Sequence, residues 1–551
     1  MFPRIKKTGK YDYLQLVETR REEGKVRQKV LVTLGRLDYL KKTGQLDRLV
    51  VCLSSFSEKV AVLLENTPER KIETTGRKIG PVLIFERLWK EVGIPQVIER
   101  YLNNRKYGFQ MERALFLTVL HRLFASGSDL QADQWRYGYK IEGVDSLQLH
   151  HLYRAMAWLG EALPQKEQKA ATPFSPLCIK DLIEEELFRQ NRNLFSELNL
   201  VFFDTTSIYF EGEGGENLGR RGHSKDHRSD LRQMVVGVVL DGEGNPICCE
   251  LWPGNTTDVK TLIPVAERLR TRFAIGRICV IADCGMISEK TLNYLEDEKN
   301  NFSYILGTRM HKVKEIGEKV LARAGRYQVV YPDREQTKDP SPLKVKEVMI
   351  EGKRYIVCYN QEQAEKDYAD RQSILEALEK QLSQGDKSLV GNKGYRKYLK
   401  TPEKEVFQID EDKAKEECRY DGKWVLQTNT DLPSQTIALK YKELLMVEQV
   451  FRNMKSILKT RPIYHKRDET IRGHVFCSFL AIKLLKELRR RLEKNGHRFE
   501  WENMKRDLEA LGETAVASRG KKFIIRSTPK GNCGSIFQAT GVVIPPTIRI
   551  I

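Results

Sequence analysis

Glu448 is a single acidic residue among the basic and aromatic residues of the stretch from Tyr441 to Lys459. At about 100° per residue, one helix over this stretch would place Tyr441, Glu448, Arg452, Lys455 and Lys459 on a shared face. A carboxylate binds cations, and basic side chains bind phosphates. The spacing therefore predicts a site that holds a metal ion and a polyanion together.

Two isolated acids upstream could complete this site. Asp204 lies within the apolar and aromatic residues 200–210, which predict a buried strand, and a buried carboxylate is costly without a partner. Asp283 ends the apolar run 278–282, and the carboxyl end of such a strand faces the crevice where α/β sheets bind ligands. We expect these two acids and Glu448 to meet at one edge of a sheet.

Each acid has an ordinary structural interpretation when taken alone. A strand-end aspartate is commonly a turn former or a helix cap, and Glu448 and Arg452 have the i,i+4 spacing of a surface ion pair. The joint occurrence of the three acids in a strongly basic chain instead favours a catalytic role for them.

The charge of the chain indicates a nucleic-acid partner. Lys and Arg number 94 and Asp and Glu 75, which gives a net charge of +19, and residues 452–494 alone carry 13 basic and 4 acidic side chains. Such a surface attracts phosphates and predicts salt-dependent binding.

The residues around Glu448 match a known signature. Tyr441, Glu448 and Lys455 fit the pattern Tyr-x2-Arg-x3-Glu-x6-Lys, although Leu444 stands at the Arg position and Arg452, one turn after Glu448, is our candidate substitute. Flanking motifs are Gly-Asn-Thr-Thr-Asp at 254–258, Arg-Pro-Ile-Tyr-His at 461–465 and Arg-Gly-His at 472–474. Over residues 200 to 485 the chain resembles the DDE transposases of bacterial insertion sequences.

The resemblance implies a specific chemistry. Asp204, Asp283 and Glu448 would be both the catalytic residues and the ligands of two divalent metal ions, Mg²⁺ with Mn²⁺ as a substitute. We hypothesise that Asp204 bridges both ions, while Asp283 and Glu448 each hold one. Water would free a 3′-hydroxyl at the transposon end, and that hydroxyl would attack target DNA. Four side chains would contact the DNA: Tyr441, Arg452, Lys455 and Lys459.

The implied partners are the terminal inverted repeats and the target DNA, bound by a homodimer in a synaptic complex. We expect a cytoplasmic, nucleoid-associated protein without a membrane partner, because the most apolar late stretch, residues 475–485, is too short to cross a bilayer. Two alternatives remain open, namely a metal-dependent nuclease of the same fold and a noncatalytic DNA-binding descendant of a transposase.

The predicted fold class is α/β multidomain, with a ribonuclease-H-like catalytic core interrupted by a β-rich insertion and preceded by a mainly helical N-terminal region. From residue 199 the predicted order is three strands, a helix capped by Asp258, a strand and a helix. The 165 residues from Asp283 to Glu448 are too many for one helix and one strand, which predicts the insertion. The predicted domains are an N-terminal β-hairpin and basic linker (1–77), a helical region that binds DNA ends or only packs (78–198), the first segment of the catalytic core (199–309), the insertion (310–432), the second segment of the core (433–500) and a C-terminal extension (501–551).

Overall fold

The β-branched and aromatic runs found in the sequence become strands in the computed structural model. It describes residues 1–22, 25–54, 74–102, 105–168, 176–191, 199–300, 302–332, 341–384, 395–403, 406–518 and 521–550. A portion of the predicted N-terminal linker, residues 55–73, lies outside these ranges. The strands in the described ranges are β1 (Phe2–Thr8), β2 (Tyr11–Glu22), β3 (Lys25–Arg36), β4 (Thr74–Lys78), β5 (Asn199–Tyr209), β6 (Gln233–Asp241), β7 (Pro246–Pro253), β8 (Ile278–Ala282), β9 (Phe302–Gly307), β10 (Gln328–Val330), β11 (Leu343–Ile350), β12 (Lys353–Tyr359), β13 (Leu399–Glu403), β14 (Val406–Ile409), β15 (Lys423–Thr428), β16 (Gly512–Ser518), β17 (Lys521–Arg526) and β18 (Ile548–Ile550).

Helices alternate with groups of these strands, so the chain has a mixed α/β fold. In the described ranges they are α1 (Leu37–Lys42), α2 (Gln45–Ser54), α3 (Gly80–Glu91), α4 (Ile94–Leu102), α5 (Met111–Phe124), α6 (Asp129–Trp135), α7 (Leu149–Leu159), α8 (Ile179–Asn191), α9 (Leu262–Thr271), α10 (Glu289–Glu296), α11 (Gln361–Gln384), α12 (Glu411–Glu417), α13 (Ser434–Lys442), α14 (Leu445–Ser456), α15 (Asp468–Lys494), α16 (Trp501–Glu509) and α17 (Cys533–Thr540).

The chain divides into two compact units. The first contains Met1–Gly80, Trp501–Phe537 and Val543–Ile551. In it β1, β2 and β3 form an antiparallel sheet, and β18, β17, β16 and β4 form a second one in that order. The two N-terminal strands expected from the sequence lie within β2 and β3, which confirms them.

The second unit, Pro81–Glu500 with Gln538–Val542, is built on a nine-stranded sheet of order β10-β11-β12-β15-β9-β8-β5-β6-β7. Strands β5, β8 and β9 are parallel, whereas β6 and β7 are antiparallel to their neighbours. Four strands from residues 310–432 continue this sheet beyond β9, while β13 and β14 pair separately. The domain limits stay predictions.

Apolar side chains of β5, β6 and β8 pack against α9 and form the core on one side of the sheet, including Val201, Phe203, Val239, Leu262 and Val280. Helix α15 packs against α5, α7 and β7 and buries most of its apolar residues. This packing explains the apolar run at 475–485. Across the described ranges, no helix has the length and apolarity needed to span a membrane.

The single helix predicted from Tyr441 to Lys459 is wrong. Helix α13 ends at Lys442 and α14 begins at Leu445, because the intervening turn uses tight i→i+3 bonds, such as Leu444 N–H to the Tyr441 carbonyl at 3.0 Å. Helix α14 ends at Ser456, and Lys459 adopts a φ of +44°, in the left-handed region. The five side chains therefore do not share one helical face.

Candidate active site

Asp204 and Asp283 stand beside each other at one edge of the sheet. Strands β5 and β8 run parallel with Phe203 opposite Ala282. Asp204 directly follows Phe203, and Asp283 directly follows Ala282, so the two acids are neighbours. The pKa of Asp204 is raised to about 6, chiefly by burial and to a smaller extent by the charges of Asp283 and Asp258, while Lys225 and the Thr205 N–H oppose this shift. The structure brings together the two acids that the sequence placed at strand positions.

Asp258 is a third carboxylate at this edge, and its predicted role as a helix cap is wrong. It begins a short 3₁₀ turn before α9, and its Oδ1 accepts a hydrogen bond from Thr205 Oγ1 at 2.7 Å instead of capping the helix. Thr205 directly follows Asp204 on β5, so this contact fixes Asp258 against the same strand. Its place in the Gly-Asn-Thr-Thr-Asp motif was the available sequence signal.

Lys225 supplies a positive charge to these carboxylates, which the sequence did not reveal. It lies in the loop between β5 and β6, and its Nζ is 3.3 Å from Asp258 Oδ2 and 3.8 Å from Asp204 Oδ1. The same ammonium donates to the Thr205 carbonyl at 2.7 Å and to Thr205 Oγ1 at 3.0 Å. The edge therefore already accommodates a cation between two acids.

Tyr441 forms a hydrogen bond with Asp283. Its hydroxyl donates to Asp283 Oδ1 at 3.0 Å, and burial, followed by the Asp283 charge, raises the pKa of Tyr441 well above its usual range. Arg309 donates to the carbonyls of Cys284 and Gly285 at 3.0 and 2.8 Å, which fixes the backbone just after Asp283. Tyr441 thus remains a protonated donor that orients the carboxylate.

Glu448 lies on a helix that packs against β5, and within the described residues no hydrogen bond or ion pair joins it to Asp204, Asp258 or Asp283. It lies exposed in the first turn of α14, a helix that contacts β5 and β6 and buries Val447, Val450, Phe451 and Met454. In the described residues of the chain Glu448 has no hydrogen bond or ion pair, and no group of three His, Cys, Asp or Glu side chains is positioned to hold a metal ion.

A family model decides the family of this chain. The transposase DDE domain model matches residues 196–484, more than half of the sequence and the whole region just described. The chain belongs to the DDE transposases. A second model, the N-terminal domain of the IS1634 family transposases, matches residues 3–62, and together the two matches make the protein an insertion-sequence DNA transposase.

Other comparisons find more distant similarity. No curated protein is significantly similar in sequence. One solved structure, described as a cryo-EM structure of a piggyBac transposase synaptic complex with hairpin DNA, matches at 11% identity with a TM-score of 0.37, covering 78% of this chain and 79% of that one.

The basic residues of this transposase fall into two groups. Arg452, one turn after Glu448 on α14, and Lys459, beyond the end of that helix, are both exposed. Lys455 is instead engaged inside the protein, where its Nζ donates to Thr206 Oγ1 at 2.6 Å and to Asp226 Oδ1 at 2.9 Å, with 14% of its side chain exposed. Burial lowers the pKa of Lys455, and the bond to Asp226 opposes that shift.

Proposed function

We propose that Asp204, Asp283 and Glu448 are the catalytic carboxylates with which this transposase cuts the ends of its insertion sequence and joins them to target DNA. The observation that carries the proposal is the adjacent placement of Asp204, in the middle of β5, and Asp283, directly after the end of the parallel strand β8. The packing of α14 on β5 supports the assignment of Glu448, because that strand carries Asp204. The strand order β9-β8-β5-β6-β7 supports a ribonuclease-H-like core with the insertion on its β9 side.

The chemical type of the donor atoms matches hard divalent cations. Asp204, Asp258 and Asp283 offer carboxylate oxygens, the ligands that Mg²⁺ and Mn²⁺ prefer, and the Lys225 ammonium already lies close to two of them. DDE transposase domains are generally dependent on divalent metals. We propose two such ions, held by Asp204, Asp283 and Glu448. When bound, they would lower the pKa of water and stabilise the charge on phosphate oxygens.

The residues of the chain would then orient the reactants. Tyr441 holds the Asp283 carboxylate, Thr205 holds Asp258, and Lys225 balances the charge of Asp204 and Asp258. The exposed Arg452 and Lys459 would bind backbone phosphates. Water attack would free a 3′-hydroxyl at the transposon end, and this hydroxyl would attack a phosphorus atom of the target strand with loss of the opposite 3′-oxygen.

We further propose that two copies of the chain bind both transposon ends in one synaptic complex. The signature formed by Tyr441, Glu448 and Lys455 would place the protein in the corresponding branch of the family, with Arg452 in place of the missing arginine. The helical region 78–198 is the candidate for recognition of the terminal inverted repeats.

The test is a Mg²⁺-dependent cleavage and joining assay on DNA carrying the ends that flank the gene, with Glu448→Gln as the control. Cutting and joining by the wild type but not by the variant is the expected result. Cutting without joining would replace the proposal with a nuclease, and binding without either step would replace it with a DNA-binding descendant.

A further inference from the structure

Asp226 links the loop between β5 and β6 to the helix that carries Glu448. Its Oδ1 accepts from Lys455 Nζ at 2.9 Å, and its Oδ2 lies 2.8 Å from Arg461 Nη1. Only 9% of the Asp226 side chain is exposed. One carboxylate therefore holds two cations in a largely buried setting, where loss of the anion would leave both without their counter-charge.

The loop itself is fixed to β5. The Lys225 N–H donates to Ser207 Oγ at 2.8 Å, and the Lys225 ammonium binds the Thr205 carbonyl. At Gly222 a Cβ atom would come within 1.9 Å of the Gly254 carbonyl oxygen, so only glycine permits this close approach. Asp226 is thus held in a constant position relative to the strand that carries Asp204.

Lys455 connects Asp226 to the helix that carries Glu448. The two residues are seven positions apart on α14, which is about two helical turns. Lys455 also donates to Thr206, two residues after Asp204, so its ammonium ties the helix to β5 and to the loop at once. Glu448 has no polar partner of its own within the described ranges, and its placement depends on how the helix is held.

We propose that Asp226 is a positioning residue that fixes Glu448 relative to Asp204 by anchoring Lys455 and Arg461. This inference rests on the proposed function, because it assumes that Glu448 and Asp204 serve one site. It also gives Lys455 a structural role inside the protein in place of the phosphate contact expected from the sequence.

The experiment compares Asp226→Asn with Asp230→Asn, an aspartate of the same loop that is 62% exposed and paired with Arg228. Mn²⁺ binding to the full-length protein without DNA is measured by titration calorimetry, together with DNA affinity and the cleavage rate at saturating DNA. We expect Asp226→Asn to weaken Mn²⁺ binding by about tenfold, as is typical for residues that orient metal ligands, and to slow cleavage without loss of DNA affinity. Asp230→Asn should match the wild type in all three measurements.

Two further variants separate positioning from general damage. Asp226→Glu keeps the charge and should restore most of the Mn²⁺ affinity, and Lys455→Met should reproduce the Asp226→Asn defect. The double variant Asp226→Asn/Lys455→Met should be no more than about threefold worse than either single variant, because both remove the same contact. If Asp226→Asn does not fold, Asp226→Glu and Lys455→Met still decide the matter.

Three outcomes would overturn the inference. They are equal Mn²⁺ affinity in Asp226→Asn and Asp230→Asn, multiplicative defects in the double variant, and tighter DNA binding by Asp226→Asn with a steeper salt dependence. The last result would mean that Asp226 masks a phosphate site. A wild type that binds Mn²⁺ in an Asp226-dependent way but never cuts its own ends would remove the proposed reaction and leave the positioning role intact.

Discussion

The hydroxyl of Tyr441 donates a 3.0 Å hydrogen bond to Oδ1 of Asp283, a residue 158 positions earlier in the chain. Tyr441 of this transposase therefore contacts a candidate catalytic acid directly. Because α13 ends just after Tyr441, the side chain is directed independently of Glu448 on the next helix.

Tyr441→Phe removes this hydrogen bond and leaves the ring in place. We expect cleavage at saturating DNA to slow by roughly ten- to a hundredfold, the scale of one hydrogen bond to a charged group, with DNA affinity unchanged. Single-turnover cleavage and a separate binding assay would measure the two effects. A loss of affinity with normal cleavage would instead assign Tyr441 to a DNA phosphate.

Substitution of the three proposed catalytic acids should abolish the reaction. Asp204→Asn, Asp283→Asn and Glu448→Gln are each expected to reduce cleavage by roughly a thousandfold or more, as removal of one member of a catalytic set does, while DNA-end binding persists. Cleavage of end-labelled DNA is the measurement. Near-normal cleavage by any one variant would exclude that residue from the catalytic set.

The charge of Asp258 should contribute more to the cleavage rate than its hydrogen bond to Thr205 does. Asp258→Asn is expected to slow cleavage more strongly than Thr205→Val, because the valine removes only the 2.7 Å bond and leaves the carboxylate beside Lys225. The two variants would be compared for cleavage rate and for Mn²⁺ affinity. Equal, wild-type values for both would leave Asp258 without a role at the site.

Substitution of the exposed basic residues and of the buried Lys455 should have different effects on the salt dependence of DNA binding. Arg452→Ala and Lys459→Ala should each lower the slope of log affinity against log salt by about 1, the change expected for one lost phosphate contact. Lys455→Met should leave that slope unchanged, since its ammonium is bound to Asp226 and Thr206. DNA binding measured over a range of salt concentrations would distinguish the two groups. A reduced slope for Lys455→Met would restore its predicted DNA contact.

A buried charge cluster should make stability depend on pH. Four carboxylates face three cations between α8, α9 and β7, and these carboxylates are Asp181, Glu184, Glu185 and Glu250. Burial raises the pKa of Glu184 to about 7, against the attraction of Lys180 and Arg268. The proton is retained in the folded state but lost from the unfolded chain above its ordinary pKa of 4.5. This stabilising contribution is therefore present below pH 4.5 and is lost as the pH rises through about 7.

Glu184→Gln should remove that pH dependence. Relative to the wild type, the free energy of unfolding of the variant is expected to rise between pH 4.5 and pH 7, since glutamine stays neutral throughout. Denaturant unfolding of both proteins at several pH values would test this. A difference that is constant with pH would show that Glu184 is ionised in the folded protein across the whole interval.

Much of the secondary structure could be predicted because its signals are local. From residue 199 the structure has the predicted order of three strands (β5, β6 and β7), a helix (α9), a strand (β8) and a helix (α10). The failure at residues 443–444 has a physical reason as well. Helical periodicity continues through this turn in the sequence, whereas the backbone there forms tighter i→i+3 bonds.

The missed residues of the candidate site had no comparable local signal. Lys225 and Asp226 stand in a polar, basic loop whose composition is typical of a mobile surface segment. Asp258 occupies a position where an aspartate ordinarily caps a helix. Their side chains instead meet Asp204, Thr205 and Lys455.

The sequence by itself determined the family, the strand positions of Asp204 and Asp283, and the helical setting of Glu448, because apolar periodicity and short motifs are properties of neighbouring residues. The tertiary structure decided which charges share a site. The Thr205–Asp258 contact joins residues 53 positions apart, and the Lys455–Asp226 pair joins residues 229 positions apart. Such pairs depend on the assembled fold, because side chains so far apart along the chain meet only where the backbone brings them together.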